Sequence, residues 1–256
     1  MASLSRDEQI EALRRDGLVV VRNFLDASRC AALLQIARAQ LNAHIEPIEY
    51  EADLGYPGAP PSRDAEGGKT VRRLLDAWSR DEAFRQYATS APIREWMAAY
   101  FGEPAKLSLA HHNCIMTKHP RFGTLTGWHR DFRYWAFERD DMVSVWLALG
   151  DEFDRNGALH FVPGSHLERI DASRFDEKKF FRDDLPVNRP VIERAIVPEL
   201  HAGDAVFFHC NTLHAADRNS TDEVKFSVVF TYHAASNRPL PGTRSAAKGS
   251  VHLENA

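Results

Sequence analysis

The sequence predicts a mainly β protein, a sandwich or barrel of short strands with helices packed beside it. Six short alternating or apolar segments follow one another after about residue 106, and Gly- and Asp-containing turns separate them. Helical periodicity lies instead in the part of the chain before that point. Many short strands joined by such turns are typical of sandwiches and barrels.

Length and composition restrict the class of protein. The 256 residues are 44% hydrophobic, so we expect one domain over 1–256 with a large core. A net charge of −4 with mixed signs offers no basic surface for nucleic acid or an anionic membrane. The N-terminus has no apolar signal core, and "LVVV" is too short to span a bilayer. Three scattered cysteines predict buried thiols in a cytoplasmic protein.

The N-terminal part, 1–105, is predicted to be mostly helical and to pack on the strands. Ser5 and Glu8 form a capping box at the start of the first helix, and Gly17 ends it. The strand "LVVVRNF" follows, then an amphipathic helix in "DASRCAALLQIARAQLNAH" and another in "APIREWMAAYFG". Between these helices, "YEADLGYPGAPPSRDAEGGK" predicts a long loop, and such loops often cover sites.

The strands of the predicted core occupy 106–235, and an irregular tail is expected over 236–256. Their segments are "KLSLAHHNCIMTK", "MVSVWLALGDE", "GALHFVPGSH", "RAIVPEL", "GDAVFFHC" and "VKFSVVFTYHA". The charged segment "RIDASRFDEKKFFRDDLPVNRP" is interpreted as an insertion between strands. We expect this insertion and the long loop to face the substrate.

A metal site is the hypothesis raised by "TGWHRDFRYW". His129 and Asp131 are two residues apart, so on a strand they point to one side, and His214 begins a later strand. Two imidazoles and one carboxylate suit a ferrous ion that needs three open positions for substrate and oxygen. The same ligands also suit zinc, so a zinc hydrolase is an alternative.

The last core strand predicts an anion site. Its period of two puts Phe226, Val228 and Phe230 on one face and Lys225 with Ser227 on the other. A lysine that faces into a barrel is costly unless an anion meets it. Lys225 therefore predicts a bound carboxylate, with Ser227 as a second hydrogen-bond donor. A noncatalytic barrel that holds a metal and a small acid would satisfy the same pattern.

Four segments carry a resemblance to the phytanoyl-CoA dioxygenase family of iron(II)/2-oxoglutarate-dependent oxygenases. They are "RRDGLVVVRNFLD", "WHRDF", "SVWLALGDEFDRNGALHFVPGSH" and "GDAVFFHCNTLHAADRNST". The resemblance implies a double-stranded β-helix, a jelly-roll or cupin-like barrel. It also implies that Fe(II), 2-oxoglutarate and O2 are used, and that His129, Asp131 and His214 are the metal ligands and catalytic centre.

The resemblance further implies where the cosubstrate binds. The family has an arginine eleven residues after its last metal-binding histidine, and this chain has Lys225 there. Lysine supplies the charge without the planar fork of arginine, and we expect it to anchor 2-oxoglutarate together with Ser227. Trp146 resembles a tryptophan that lines the family's cosubstrate pocket. An upstream basic contact of the family falls on one of Lys69, Arg72 and Arg73.

The expected reaction is hydroxylation of a C–H bond in a small molecule, coupled to conversion of 2-oxoglutarate into succinate and CO2. Asp131 favours hydroxylation, because related halogenases have a small residue at this place. Basic residues in the predicted substrate-facing segments favour an acidic or natural-product-like substrate. Nucleic acid and membrane partners are not expected.

Overall fold

The computed structural model describes residues 4–253 as seven helices and eleven strands. The helices are α1 Arg6–Asp16, α2 Ala27–Asn42, α3 Ala77–Arg80, α4 Glu82–Ala88, α5 Ala91–Phe101, α6 Arg189–Ile192 and α7 Arg244–Lys248. The strands are β1 Leu18–Val21, β2 Ile48–Tyr50, β3 Val71–Leu75, β4 Ala105–Lys118, β5 Thr126–His129, β6 Met142–Ala148, β7 Leu159–Phe161, β8 Ala205–His209, β9 His214–Ala216, β10 Lys225–Ala234 and β11 Ser250–His252. None of the described helices is long and apolar enough to cross a membrane.

The strands form two antiparallel sheets. The larger sheet has the order β1-β8-β6-β10-β4-β3-β2, with β11 paired to β4, and the smaller has the order β5-β9-β7. Within the described residues no ladder of hydrogen bonds joins the two sheets, so they do not form a closed barrel. The site therefore lies between two sheets rather than in a continuous barrel.

The large sheet separates two apolar layers. Its outer face packs under the helices, where Phe207 of β8 contacts Trp96 of α5 with ring centroids 4.4 Å apart. Its inner face packs on the small sheet, where Phe208 of β8 lies 5.2 Å from Phe161 of β7. Strand β10 is buried along its whole length, and its alternation is confirmed.

The N-terminal part contributes more to the sheet than the sequence predicts. The capping box of α1 and its left-handed Gly17 are confirmed. Strands β2 and β3, however, extend the large sheet beyond β4, and the sequence analysis did not predict them. Strand β3 is hard to predict from the sequence because its segment, "VRRLL", contains two adjacent arginines, and charged residues are rare in a buried strand. The two arginines are buried because each is paired with a glutamate, Arg72 with Glu51 and Arg73 with Glu49.

Two further predictions were wrong. The predicted irregular tail over 236–256 is regular in part of its described residues, 236–253, because these contain α7 and β11, and the three residues of β11 pair with the start of β4. The segment "RAIVPEL" is not a strand and makes only isolated bridges at Ile196 and Leu200. Pro198 between these two bridges has no amide hydrogen to donate, which prevents a continuous ladder.

Candidate iron and cosubstrate site

The small sheet brings together the three predicted metal ligands. His129 ends β5 and pairs in register with His214, which begins β9. Asp131 does not lie on the same strand, as the sequence analysis assumed. It begins a 3-10 turn over Asp131–Tyr134. This turn, rather than the period of a strand, carries the carboxylate back toward the two imidazoles.

The ligand atoms converge on one point. The Nε2 atoms of His129 and His214 lie 3.4 and 3.5 Å from Oδ1 of Asp131. Each ring donates its Nδ1–H to a backbone carbonyl two residues earlier, Gly127 at 2.9 Å and Thr212 at 3.0 Å. These bonds leave both Nε2 lone pairs directed at the carboxylate, as metal-binding imidazoles require.

The donor set fits a divalent metal ion. Asp131 is fully buried, and neither of its carboxylate oxygens has a hydrogen bond of good geometry. A buried carboxylate is strongly disfavoured without a partner, and a cation between the three side chains would supply one. All three ligand atoms lie within 4.8 Å of one another. Two histidines and one carboxylate with open positions are typical of non-haem iron.

The protonation of the site agrees with metal binding. Burial, with His214 nearby, lowers the pKa of His129 to about 4, so this ring is neutral at pH 7. Burial opposes ionisation of Asp131, but His112 and His214 hold its pKa well below the usual value. For His214 the Asp131 carboxylate outweighs burial and raises the pKa. Metal binding requires the neutral form of both rings and the ionised form of the carboxylate.

His112 contacts the triad, and the sequence analysis assigned it no role at the metal. Its Nδ1 lies 3.3 Å from Oδ2 of Asp131 and 3.3 Å from the hydroxyl of Ser144. A bulge in β4 brings it there, because Ser108 and Asn113 pair with two consecutive residues of β10. In a regular strand His111 and His112 would face opposite sides, whereas both line the cavity here. No local pattern signals this bulge.

A small cavity adjoins the triad and is covered by aromatic residues. Its volume is about 70 Å³. The ring of Phe180, from the predicted insertion, lies 5.8 Å from His129. Tyr56, from the predicted long loop, packs edge-on against Phe180 at 5.5 Å, and the guanidinium of Arg133 stacks 4.0 Å above the Phe180 ring. Tyr56 of the predicted long loop therefore lines the cavity, and Phe180 of the predicted insertion packs against both Tyr56 and His129.

Lys225 lines the cavity, but it already has a carboxylate partner. Its Nζ lies 2.9 Å from Oε2 of Glu152. Oε1 of Glu152 accepts hydrogen bonds from Ser227 at 2.6 Å and from the Trp146 indole at 2.9 Å. Glu152 is 1% exposed, so this is a buried, fully bonded cluster. The sequence analysis predicted the need for a carboxylate at Lys225 but not that the chain itself supplies one.

The other basic candidates divide between two places. Arg72 and Arg73 line the cavity, whereas Lys69 lines a separate surface depression with His119 and Phe122. Lys118 also lines the cavity, although the sequence analysis did not single it out. Lys118 is the last residue of β4, and a lysine at the end of a strand gives no sign in the sequence that its side chain turns inward.

A second cluster of metal-binding residue types lies near the surface. His160 is 2.9 Å from a carboxylate oxygen of Asp154 and 3.8 Å from one of Asp217. Both aspartate side chains are at least two-thirds exposed. Burial therefore distinguishes the His129, Asp131 and His214 group.

Known proteins resemble this chain over most of its length. A sequence model of the family described as phytanoyl-CoA dioxygenase (PhyH) matches residues 13–227. Ectoine dioxygenase of Sphingopyxis alaskensis is 25% identical, over 90% of this chain and 76% of the relative. A probable alpha-ketoglutarate-dependent hypophosphite dioxygenase of Stutzerimonas stutzeri is 25% identical, over 92% of this chain and 81% of the relative.

Solved structures have the same fold. The epimerase SnoN from nogalamycin biosynthesis, in complex with Fe3+, alpha ketoglutarate and nogalamycin RO, has a TM-score of 0.73 at 27% identity, and the match covers 93% of this chain and 91% of SnoN. EctD from S. alaskensis with bound Fe has a TM-score of 0.74 at 20% identity, over 93% and 79% of the two chains. The fold is the double-stranded β-helix, mainly β with flanking helices.

Proposed function

The chain belongs to the phytanoyl-CoA dioxygenase family, and on that premise we propose that His129, Asp131 and His214 hold the catalytic iron beside a cosubstrate pocket. The protein is a non-haem iron(II)/2-oxoglutarate-dependent dioxygenase. It hydroxylates a C–H bond of a small molecule and converts 2-oxoglutarate into succinate and CO2. The names of the relatives favour this activity over a zinc hydrolase.

The observation that carries the metal assignment is the buried Asp131 carboxylate, which has no well-formed hydrogen bond and faces two imidazole nitrogens. Bound there, Fe(II) supplies open positions at which 2-oxoglutarate and O2 meet and oxygen is activated. The chain's own residues fix the three ligands. The carbonyls of Gly127 and Thr212 hold the rings in the tautomer that binds through Nε2.

Residues around the triad orient Asp131 and exclude water. His112 is neutral at pH 7, because burial lowers its pKa to about 4, and it approaches the second oxygen of Asp131. It therefore restricts rotation of that carboxylate without adding a charge. The rings of Phe180 and Tyr56 cover the His129 side and limit access of water to the reaction.

For the substrate we propose an acidic or natural-product-like molecule that enters beside Arg133. The Arg133 guanidinium stacks on Phe180, which lies beside His129, so it could bind an anionic group of the substrate while the neighbouring rings contact an apolar part. The names of similar proteins mention ectoine, hypophosphite and nogalamycin, so proteins that resemble this chain act on small molecules of different chemistry. The three buried free cysteines fit the reducing compartment predicted from the sequence.

An anaerobic titration tests the proposal. Metal-free protein receives Fe(II) and then 2-oxoglutarate, and the visible metal-to-ligand charge-transfer band is recorded. We expect the band in the wild type and its loss in His129→Ala. His160→Ala, which changes a histidine of the exposed cluster, is the matched control and should retain the band. Iron binding without a band in the wild type would refute the cosubstrate assignment.

A further inference from the structure

Four lysine or arginine side chains line the cavity beside the triad, and three of them are paired with glutamates of this chain. Arg72 lies 3.1 Å from Glu51, Arg73 lies 2.6 Å from Glu49 and Lys225 lies 2.9 Å from Glu152. Lys118 is the fourth. Among the residues that the structure describes, no carboxylate lies within 4.0 Å of its Nζ.

Lys118 is buried, with 8% of its surface exposed. Its ammonium donates one hydrogen bond, to the carbonyl of Thr124 at 2.6 Å. An ammonium has three donors, and a buried one is strongly disfavoured without a countercharge. Burial, and then Arg72 and Lys225, lower the pKa of Lys118 to about 7. Within the described part of the chain, no carboxylate therefore contacts the Lys118 ammonium directly, whereas each of the three neighbouring cations has one in contact.

The charge of Lys225 is already neutralised by a carboxylate of this chain. Three donors, from Lys225, Ser227 and Trp146, are taken up by the two oxygens of Glu152. A cosubstrate carboxylate that replaced Glu152 there would leave Glu152 buried without its partners, which is strongly unfavourable. Lys225 and Glu152 thus form an ion pair without net charge, called here the neutral wall, at this end of the cavity.

Lys118 lies at the same end of the cavity. It pairs in register with Lys225 across β4 and β10, about 5 Å away at the backbone. Gly157 makes room for its side chain, since a Cβ on this glycine would lie 3.0 Å from Cε of Lys118. The distal carboxylate of the cosubstrate could therefore bind Lys118 instead of Lys225, because the two lysines lie on adjacent strands at the same end of the cavity.

We infer that Lys118, rather than Lys225, binds the distal carboxylate of 2-oxoglutarate, and that Glu152 keeps Lys225 out of this role. The inference rests on the proposed function. It also balances the charges of the site. Fe(II) is neutralised by Asp131 and the C1 carboxylate of the cosubstrate, and the distal carboxylate is neutralised by Lys118.

The test compares two ligands in the anaerobic charge-transfer titration. 2-Oxopentanoate chelates iron as 2-oxoglutarate does but has a methyl group in place of the distal carboxylate. In the wild type, 2-oxoglutarate should bind more tightly by on the order of tenfold or more, the effect of a charged hydrogen bond. Lys118→Met should abolish this preference while 2-oxopentanoate binding stays within a few-fold of the wild type. Lys118→Arg should keep most of the preference.

A double variant tests the role of the neutral wall. Lys225→Met combined with Glu152→Gln removes both charges together and should keep the preference for 2-oxoglutarate. Retention of the preference in Lys118→Met, or its loss in the double variant alone, would overturn the inference. If Lys118→Met does not fold, Lys118→Gln takes its place. A wild type that gives no band with either ligand would instead refute the proposed function itself.

Discussion

Single backbone carbonyls determine which nitrogen of each site histidine is left free to bind the proposed metal. Gly127 and Thr212 each lie two residues before a ligand and accept its Nδ1–H. The same spacing recurs on two different strands, so both Nε2 atoms face one carboxylate. Charge pairing also differs from residue to residue: three of the four cations of the cavity contact a glutamate, whereas Lys118 contacts none among the described residues.

The lowered pKa of Lys118 predicts that cosubstrate affinity depends on pH. Below about pH 7 the ammonium is already charged, whereas above it an anion must bind together with a proton. The affinity for 2-oxoglutarate should therefore fall between pH 7 and pH 9, by up to about tenfold per unit.

Charge-transfer titrations at several pH values measure this dependence. The charged groups that act on Lys118 are Arg72, Lys225, Glu51 and Asp217. Lys118→Arg cannot lose its proton and should flatten the profile. 2-Oxopentanoate should show little dependence. An equal slope for both ligands would trace the effect to the metal ligands instead.

At the scale of elements, irregular segments build the site and regular ones support it. The turn over Asp131–Tyr134, the bulge of β4 and the cover that contains Tyr56 and Phe180 all depart from strand geometry. The cavity of about 70 Å³ is far smaller than the roughly 300 Å³ at which ligand pockets begin. The cover must therefore move before 2-oxoglutarate and a substrate can enter.

Phe180→Ala should accelerate the association of 2-oxoglutarate with the anaerobic iron-loaded protein. The ring that closes over His129 is lost, so the opening step costs less. Stopped-flow absorbance of the charge-transfer band measures the rate. Phe175→Ala is the control, because Phe175 belongs to the same segment but packs on Phe181. Unchanged association in Phe180→Ala, or equal acceleration in both variants, would contradict this role.

For the whole molecule, β10 links the two cores. Phe230 points into the layer under the helices and Val229 points toward the small sheet, and both are fully buried. The strand pairs with β6 on one side and β4 on the other. A packing defect in β10 should therefore disturb both apolar layers and also the position of Lys225, which begins this strand.

Phe230→Ala should lower the free energy of unfolding by about 3–5 kcal/mol, the cost of an unfilled aromatic cavity in a packed core. Urea denaturation followed by tryptophan fluorescence measures the loss. Leu167→Ala changes a side chain that is 67% exposed and should stay within about 0.5 kcal/mol. Similar losses in the two variants would show that the layer under the helices is not the principal core.

The family, the fold class and the residues of the proposed metal triad are all predictable from the sequence alone. These follow from local signals, such as the His-x-Asp pair, the alternation of β10 and the capping box of α1. Such signals can be recognised in the sequence because the residues that carry them are near one another in the chain.

The pairing of charges at the site, by contrast, depends on contacts that form only in the folded protein. Glu152 reaches Lys225 across 73 residues, and the bulge that brings in His112 exists only where β4 meets β10. Strand β11 likewise becomes a strand by pairing with β4. Contacts between distant residues leave no periodic pattern in the sequence from which they could be predicted. In a buried site of low polarity each such contact has a large effect on stability, because an unpaired charge there is strongly unfavourable.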